Sequence, residues 1–188
     1  MALLNRLRPR VAAIILLLAA LATQSAAQPA PTARLNELEA VFLFNFAIFV
    51  NWPDTPPRDS RAPFIIGVLG TDPFGSVLDQ IVAGEKLDSR PYLVRRYPSL
   101  QDVGPCDILF ISSSEHGNLA TILRFLRNRS ILTVGDTDDF NELGGIIRFV
   151  REDGHLRLRI NLAAARAARL RLSSKLLRPA EIYHGKAR

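Results

Sequence analysis

The sequence predicts an α/β protein, a single three-layer domain whose mainly parallel sheet carries helices on both faces and includes a C-terminal β-hairpin. Two short, almost unbroken apolar runs, residues 64–69 (FIIGVL) and 107–111 (DILFI), have the composition of strands covered on both faces. Each leads into a polar turn and then into apolar residues at helical spacing, the alternation that builds parallel sheets. Further on, Asp153-Gly154 separates two apolar-rich segments, which signals a hairpin.

The first 27 residues read as a secretory signal peptide. Arg6, Arg8 and Arg10 come with no acidic neighbour, residues 11–21 are apolar, and Ser25-Ala26-Ala27 offers small residues for cleavage before Gln28. The product is expected in the periplasm. Residues 28–34, with Pro29 and Pro31, read as a flexible leader, residues 35–183 as the domain, and residues 184–188 as a frayed tail. The formal charge of +6 includes the three leader arginines, so the exported chain is only mildly basic and no nucleic-acid partner is expected. The single cysteine, Cys106, excludes an intrachain disulfide; beside an apolar run it reads as a buried thiol.

The domain is organised around residues 35–50. Phe42, Phe44, Phe46 and Phe49 fall here, Asn45 is the one polar residue after Glu39, and Pro53 stops the helix at Trp52. Asn36-x-x-Glu39 resembles a capping box at the helix start. Leu38, Phe42, Phe46 and Phe49 form one stripe; Val41, Phe44 and Ile48 form another, so burial nearly all round is expected. Sixteen residues headed by Glu37 and Glu39 fall short of the roughly 20 needed to cross a bilayer, so no membrane span is expected in the mature chain.

In chain order, residues 54–63 are a proline-rich loop and residues 64–69 a strand. Gly70–Gly75 is a tight turn, and Phe74, Val77, Leu78 and Ile81 make an amphipathic helix ending at Gly84. Residues 92–97 make a strand near an edge, since they carry Arg95 and Arg96. Residues 107–111 are the next buried strand, followed by a helix with Leu119, Ile122, Leu123 and Leu126 inward, then a strand at 131–134. Residues 146–151 and 155–160 form the hairpin, with Leu156, Leu158 and Ile160 inward and His155, Arg157 and Arg159 outward. Asn161 caps a helix reaching Leu170, and Ser173 or Ser174 caps a last one that Pro179 interrupts.

Right-handed crossovers place the loops 70–75, 112–116 and 135–139 along one edge of the sheet. There Asp72, Ser112, Ser113 and Asp136 are candidates to line a small-ligand pocket, whose acidity would favour a cationic or hydroxyl-rich molecule. No phosphate-loop spacing is present, and Asp136, Asp138 and Asp139 lack the calcium-loop pattern, so no cofactor or metal is predicted. Ser112–Ser114 and His116 lack a nucleophile elbow, so no catalytic residue is assigned. Phe44, Phe49, Trp52, Arg157 and Arg159 are the candidates for a protein partner.

The sequence resembles the YfiR family of periplasmic proteins. The resemblance is carried by NFAIFVNWP (45–53), LGTDPFG (69–75), CDILFIS (106–112), LTVGD (132–136), GGIIRF (144–149), Ile160-Asn161 and SSKLL (173–177), in the family's order across nearly the whole mature chain. It departs at Pro179, and the single Cys106 means that no disulfide-controlled mechanism is carried over. The resemblance implies a non-enzymatic repressor that binds the periplasmic sensory domain of an inner-membrane diguanylate cyclase and so lowers cyclic di-GMP and biofilm formation; the helix at 35–50 also has more apolar surface than one face of a small sheet covers, which leaves part of residues 42–52 for a partner or for a homodimer. A small-ligand sensor serving another signalling or transport partner is the alternative.

Overall fold

A computed structural model of the protein describes residues 31–53 and 62–185. The expected signal peptide, residues 28–30 of the expected leader, most of the proline-rich loop and residues 186–188 lie outside the described residues. Helix α1 spans Pro31–Phe49. It therefore begins inside the expected leader, because proline suits a first helical turn, where its missing N–H would have no partner anyway.

That early start corrects the capping box. Asn36 and Glu39 lie in the helix interior and serve the tertiary structure instead: the Asn36 amide donates to Pro73 O at 2.9 Å, and Glu39 is fully buried against Arg151. Burial nearly all round is corrected as well. The inward stripe is Glu39, Ala40, Leu43, Phe46 and Ala47, while Leu38, Val41 and Ile48 are 41%, 40% and 61% exposed. One sheet face covers about half of a helix surface, whatever its composition.

The remaining strands are β1 (Val50–Asn51), β2 (Phe64–Leu69), β3 (Lys86–Leu87), β4 (Arg90–Tyr97), β5 (Ile108–Ile111), β6 (Leu132–Gly135), β7 (Ile147–Glu152), β8 (His155–Ile160), β9 (Arg171–Leu172) and β10 (Glu181–Ile182). The helices are α2 (Ser76–Val82), α3 (Leu119–Leu126), α4 (Leu162–Ala167) and α5 (Ser174–Leu177). The large sheet runs β10-β8-β7-β6-β5-β2-β4-β3. Strands β4, β2, β5, β6 and β7 are parallel; β3 and β8 pair antiparallel with β4 and β7. The short β1 and β9 pair with each other. Periodicity gives no sign of β9 or β10, since two residues cannot show alternation.

The fully buried runs of β2 and β5 separate two cores. On one face, α1, α2, α4 and α5 pack Phe46, Leu78, Ala165 and Leu176 against Phe64, Ile66, Phe110 and Phe149. On the other, α3 buries Leu119, Ile122, Leu123 and Leu126 against Leu109 and Ile111, with Phe140 and Cys106 in the same layer. The hairpin turn has Asp153 and Gly154 both at positive φ (50 and 74), the conformation the sequence signal demands. The Asn161 side chain caps α4 through the Ala164 N–H, and α4 ends at Ala167, short of the expected Leu170.

Candidate functional site

The parallel strands bring the predicted loops to one edge. Strand β2 is followed on one side by β4 and on the other by β5, so the switch point where open α/β sheets commonly bind ligands lies between the ends of β2 and β5. Here the two loops close on each other. The Thr71 N–H donates to Ser114 Oγ at 2.9 Å, the Ser112 N–H donates to Leu69 O at 3.0 Å, and Ser114 and Glu115 occupy the space a side chain at Gly70 would need.

The four candidate ligand residues separate accordingly. Asp72 closes its own turn: Oδ1 accepts from the Phe74 N–H at 2.7 Å and Oδ2 from Arg96 at 2.7 Å, while Arg96 also reaches Asp79 and Gly75 O. Ser112 is buried, and its hydroxyl accepts from the Ser114 N–H. Ser113 and Asp136 do come together. Burial pushes the Asp136 carboxyl up, against the opposing pull of Arg151 and of hydrogen bonds from Ser113. Its Oδ1 is buried with no hydrogen-bond partner among the described residues, beside a groove of about 310 Å³ lined by Asp136, Asp138, Arg148, Arg151 and Glu152. His116 is exposed and faces Asp139 at 3.6 Å.

The candidate partner residues on α1 turn towards the body. Phe44 meets Tyr92 with ring centroids 5.0 Å apart, and Phe49 is half-buried against the core. Trp52 stands edge-on to Phe64 at 5.2 Å and donates its Nε1–H to Asp107 O at 3.2 Å. Arg157 is exposed, 3.9 Å from Glu152, and Arg159 pairs with Glu181 at 3.0 Å.

The free apolar surface of α1 lies elsewhere. Leu38, Val41 and Ile48, with Asn45 between them, recur at spacings of three, four and three, which places them on one side of a helix, opposite Glu39, Leu43 and Phe46. Residues 38 and 48 belong to different stripes in the sequence reading because phenylalanines drew the pattern. A helical wheel without that weighting groups them. The stripe ends at a groove of about 1110 Å³ whose walls include Ile48, Trp52, Leu87, Asp88, Arg169 and Arg171.

On the inner side, Arg151 donates from Nε and Nη2 to the two Glu39 oxygens, at 2.7 Å each, and from Nη2 to Asn36 Oδ1 at 2.9 Å. Desolvation raises the Glu39 pKa, and the Arg151 hydrogen bonds and charge oppose that rise. The pair lies on the same side of α1 as the buried Ala40, Leu43 and Phe46, and with them holds the rotation of the helix that leaves Leu38, Val41 and Ile48 in solvent. Among the described residues, no helix is long and apolar enough to cross a membrane.

Compared with known families, residues 36–181 match the family described as YfiR/HmsC-like. No curated protein matches the chain.

Proposed function

Because the chain belongs to the YfiR/HmsC-like family, we propose that it is a non-enzymatic periplasmic regulator that binds the periplasmic sensory domain of an inner-membrane diguanylate cyclase and holds it inactive. Cyclic di-GMP and biofilm formation fall as a result. The observation that carries this reading is the outward stripe of α1: Leu38, Val41 and Ile48 form an apolar strip on a helix whose other side is locked to the sheet by a buried ion pair. A rigidly held apolar face suits a helix-in-groove or helix-on-helix contact. Phe44, Phe49 and Trp52 are partly buried against the core beside that strip, whereas Arg157 and Arg159 alternate with the core residues Leu158 and Ile160 on β8, point to the other face of the sheet and lie outside this surface.

The test is binding of the purified protein to the purified periplasmic domain of a cyclase encoded beside it, read by calorimetry, with cyclic di-GMP measured in cells. Saturable binding that Ile48→Glu abolishes, with cyclic di-GMP rising in the same variant, is expected. Unaltered binding by Ile48→Glu and Val41→Glu would remove the α1 stripe from the interface.

One observation favours a second reading, a small-ligand sensor: the unpartnered buried oxygen of Asp136 beside Ser113. A cationic or hydroxyl-rich ligand seated there would raise the melting temperature with concentration, and Asp136→Asn would remove the effect.

A further inference from the structure

We propose that the outer face of α3 and the turn after it rest on an anionic phospholipid surface, holding the protein against a membrane without crossing it. The first argument is charge. From residue 116 to residue 135 the chain has no acidic side chain, and Arg124, Arg127 and Arg129 fall within six consecutive positions. All three are exposed, and among the described residues none of their guanidinium groups has an ion-pair or hydrogen-bond partner. The partial negative charge at a helix end gives one or two such cations a structural reason. It gives none for the ring among them.

That ring is the second argument. Phe125 is 46% exposed, belongs to neither core, and is the one large apolar side chain exposed on α3. The helix holds Leu119, Ile122, Leu123 and Leu126 inward, which turns Phe125 outward. Asn128 then takes a left-handed conformation (φ 66), and the chain folds back so that the Arg129 guanidinium lies over the Phe125 ring, 4.1 Å from its centroid.

One projecting ring set among cations suits a lipid surface. A bilayer takes the ring below its headgroups while the guanidinium groups stay level with the phosphates, and no matching pocket is needed. A protein contact is built on a cluster of apolar anchors, and α3 offers one. Each arginine near an anionic surface strengthens attachment roughly fivefold, so three of them give a reversible attachment that salt weakens.

Helices α3 and α1 pack on opposite faces of the sheet, so a molecule resting on α3 keeps the α1 stripe open. If the partner reading above holds, attachment confines the regulator to the membrane that anchors its target and raises their effective concentration. The attachment itself does not depend on that reading.

Co-sedimentation of the purified protein with vesicles tests the proposal, comparing phosphatidylcholine alone with equal parts of phosphatidylcholine and phosphatidylglycerol. Binding to the anionic vesicles is expected, falling as salt rises, with none to the neutral ones. Arg124→Gln and Arg127→Gln should each weaken it roughly fivefold. Phe125→Ser should weaken it at low and high salt alike. Arg178→Gln, at the exposed end of α5 across the sheet, should leave it unchanged. These positions are all exposed, so the variants keep the fold. No sedimentation with anionic vesicles, equal binding to both kinds, or an equal loss in Arg178→Gln would each overturn the proposal. Absent vesicle binding with cyclase binding weakened by Arg124→Gln would overturn it and assign the patch to a protein contact. Vesicle binding without cyclase binding would overturn only the partner reading.

Discussion

Glu39, in the middle of α1, and Arg151, near the end of β7, share two hydrogen bonds of 2.7 Å across 112 residues of sequence, and Glu39 has no surface left in water. A buried pair of this kind adds little stability over an apolar pair of equal volume, but breaking it strands a charge. Arg151→Met should therefore destabilise the fold by roughly 3 kcal/mol, the lower end of the usual range, because Arg151 remains partly exposed. Glu39→Leu combined with Arg151→Met should recover most of that loss. Urea unfolding of the three variants decides it, and a double variant no better than the single one would show that the ion pair is not the cause.

The same pair sets a pH dependence. Burial first, opposed by Arg151, raises the Glu39 pKa in the folded state above its ordinary value of 4.5. A carboxyl with a raised folded value binds its proton more tightly when folded. Its favourable contribution is complete below the unfolded value and is lost as pH rises through the folded one. Asp136, raised first by burial, acts in the same sense. Asp79, lowered first by its hydrogen bond from Arg96, acts in the opposite sense, yet it is common to wild type and variant and drops out of their difference. Removing Arg151 lifts Glu39 further, so the deficit of Arg151→Met should shrink as pH falls from about 7 to about 5. A deficit that stays constant or grows on acidification contradicts this.

What the sequence makes legible here is the layer that periodicity controls. The runs at 64–69 and 107–111, the inward residues of α3, the Asp153-Gly154 turn and the Asn161 cap all have local causes, and each stands where its residues put it. The Asn36 and Glu39 pattern fails because its residues bond to chain more than 30 positions away, which local spacing cannot register. The candidate sites divide in the same way. Asp72 is polar and lies in the right loop, but Arg96, 24 residues on, satisfies its carboxylate. Which side of α1 faces water is set by Arg151 together with the buried Ala40, Leu43 and Phe46, and the distribution of phenylalanines alone does not show it.

Phe140 makes a further point about the loop after β6. A methyl group at Gly135 or at Gly145 would stand inside contact distance of its ring. The ring is fully buried, so it cannot swing out to make room. Gly145→Ala should cost about 1–3 kcal/mol through overpacking. Phe140→Leu frees the space at the expense of lost contacts, so Gly145→Ala in that background should cost clearly less than in wild type. Thermal unfolding of the double-mutant cycle measures the coupling, and strict additivity would rule out the steric cause.

The two faces of α1 should respond in opposite ways to substitution. Phe46 is fully buried and stacks on Phe149 at 6.1 Å, so Phe46→Ala should cost about 3–5 kcal/mol. Ile48 is 61% exposed, and Ile48→Glu should change stability by no more than about 0.5 kcal/mol. Function should invert that order. On the proposed partner surface, a folded Ile48→Glu protein presents a charge where the apolar contact is proposed, and an unpaired charge in a contact costs more than a missing methyl group. Cells carrying Ile48→Glu should show raised cyclic di-GMP at normal protein abundance, whereas Phe46→Ala should raise it only as far as its abundance falls. If signalling followed abundance in both variants, α1 would be a structural helix and the regulatory surface would lie elsewhere on the molecule.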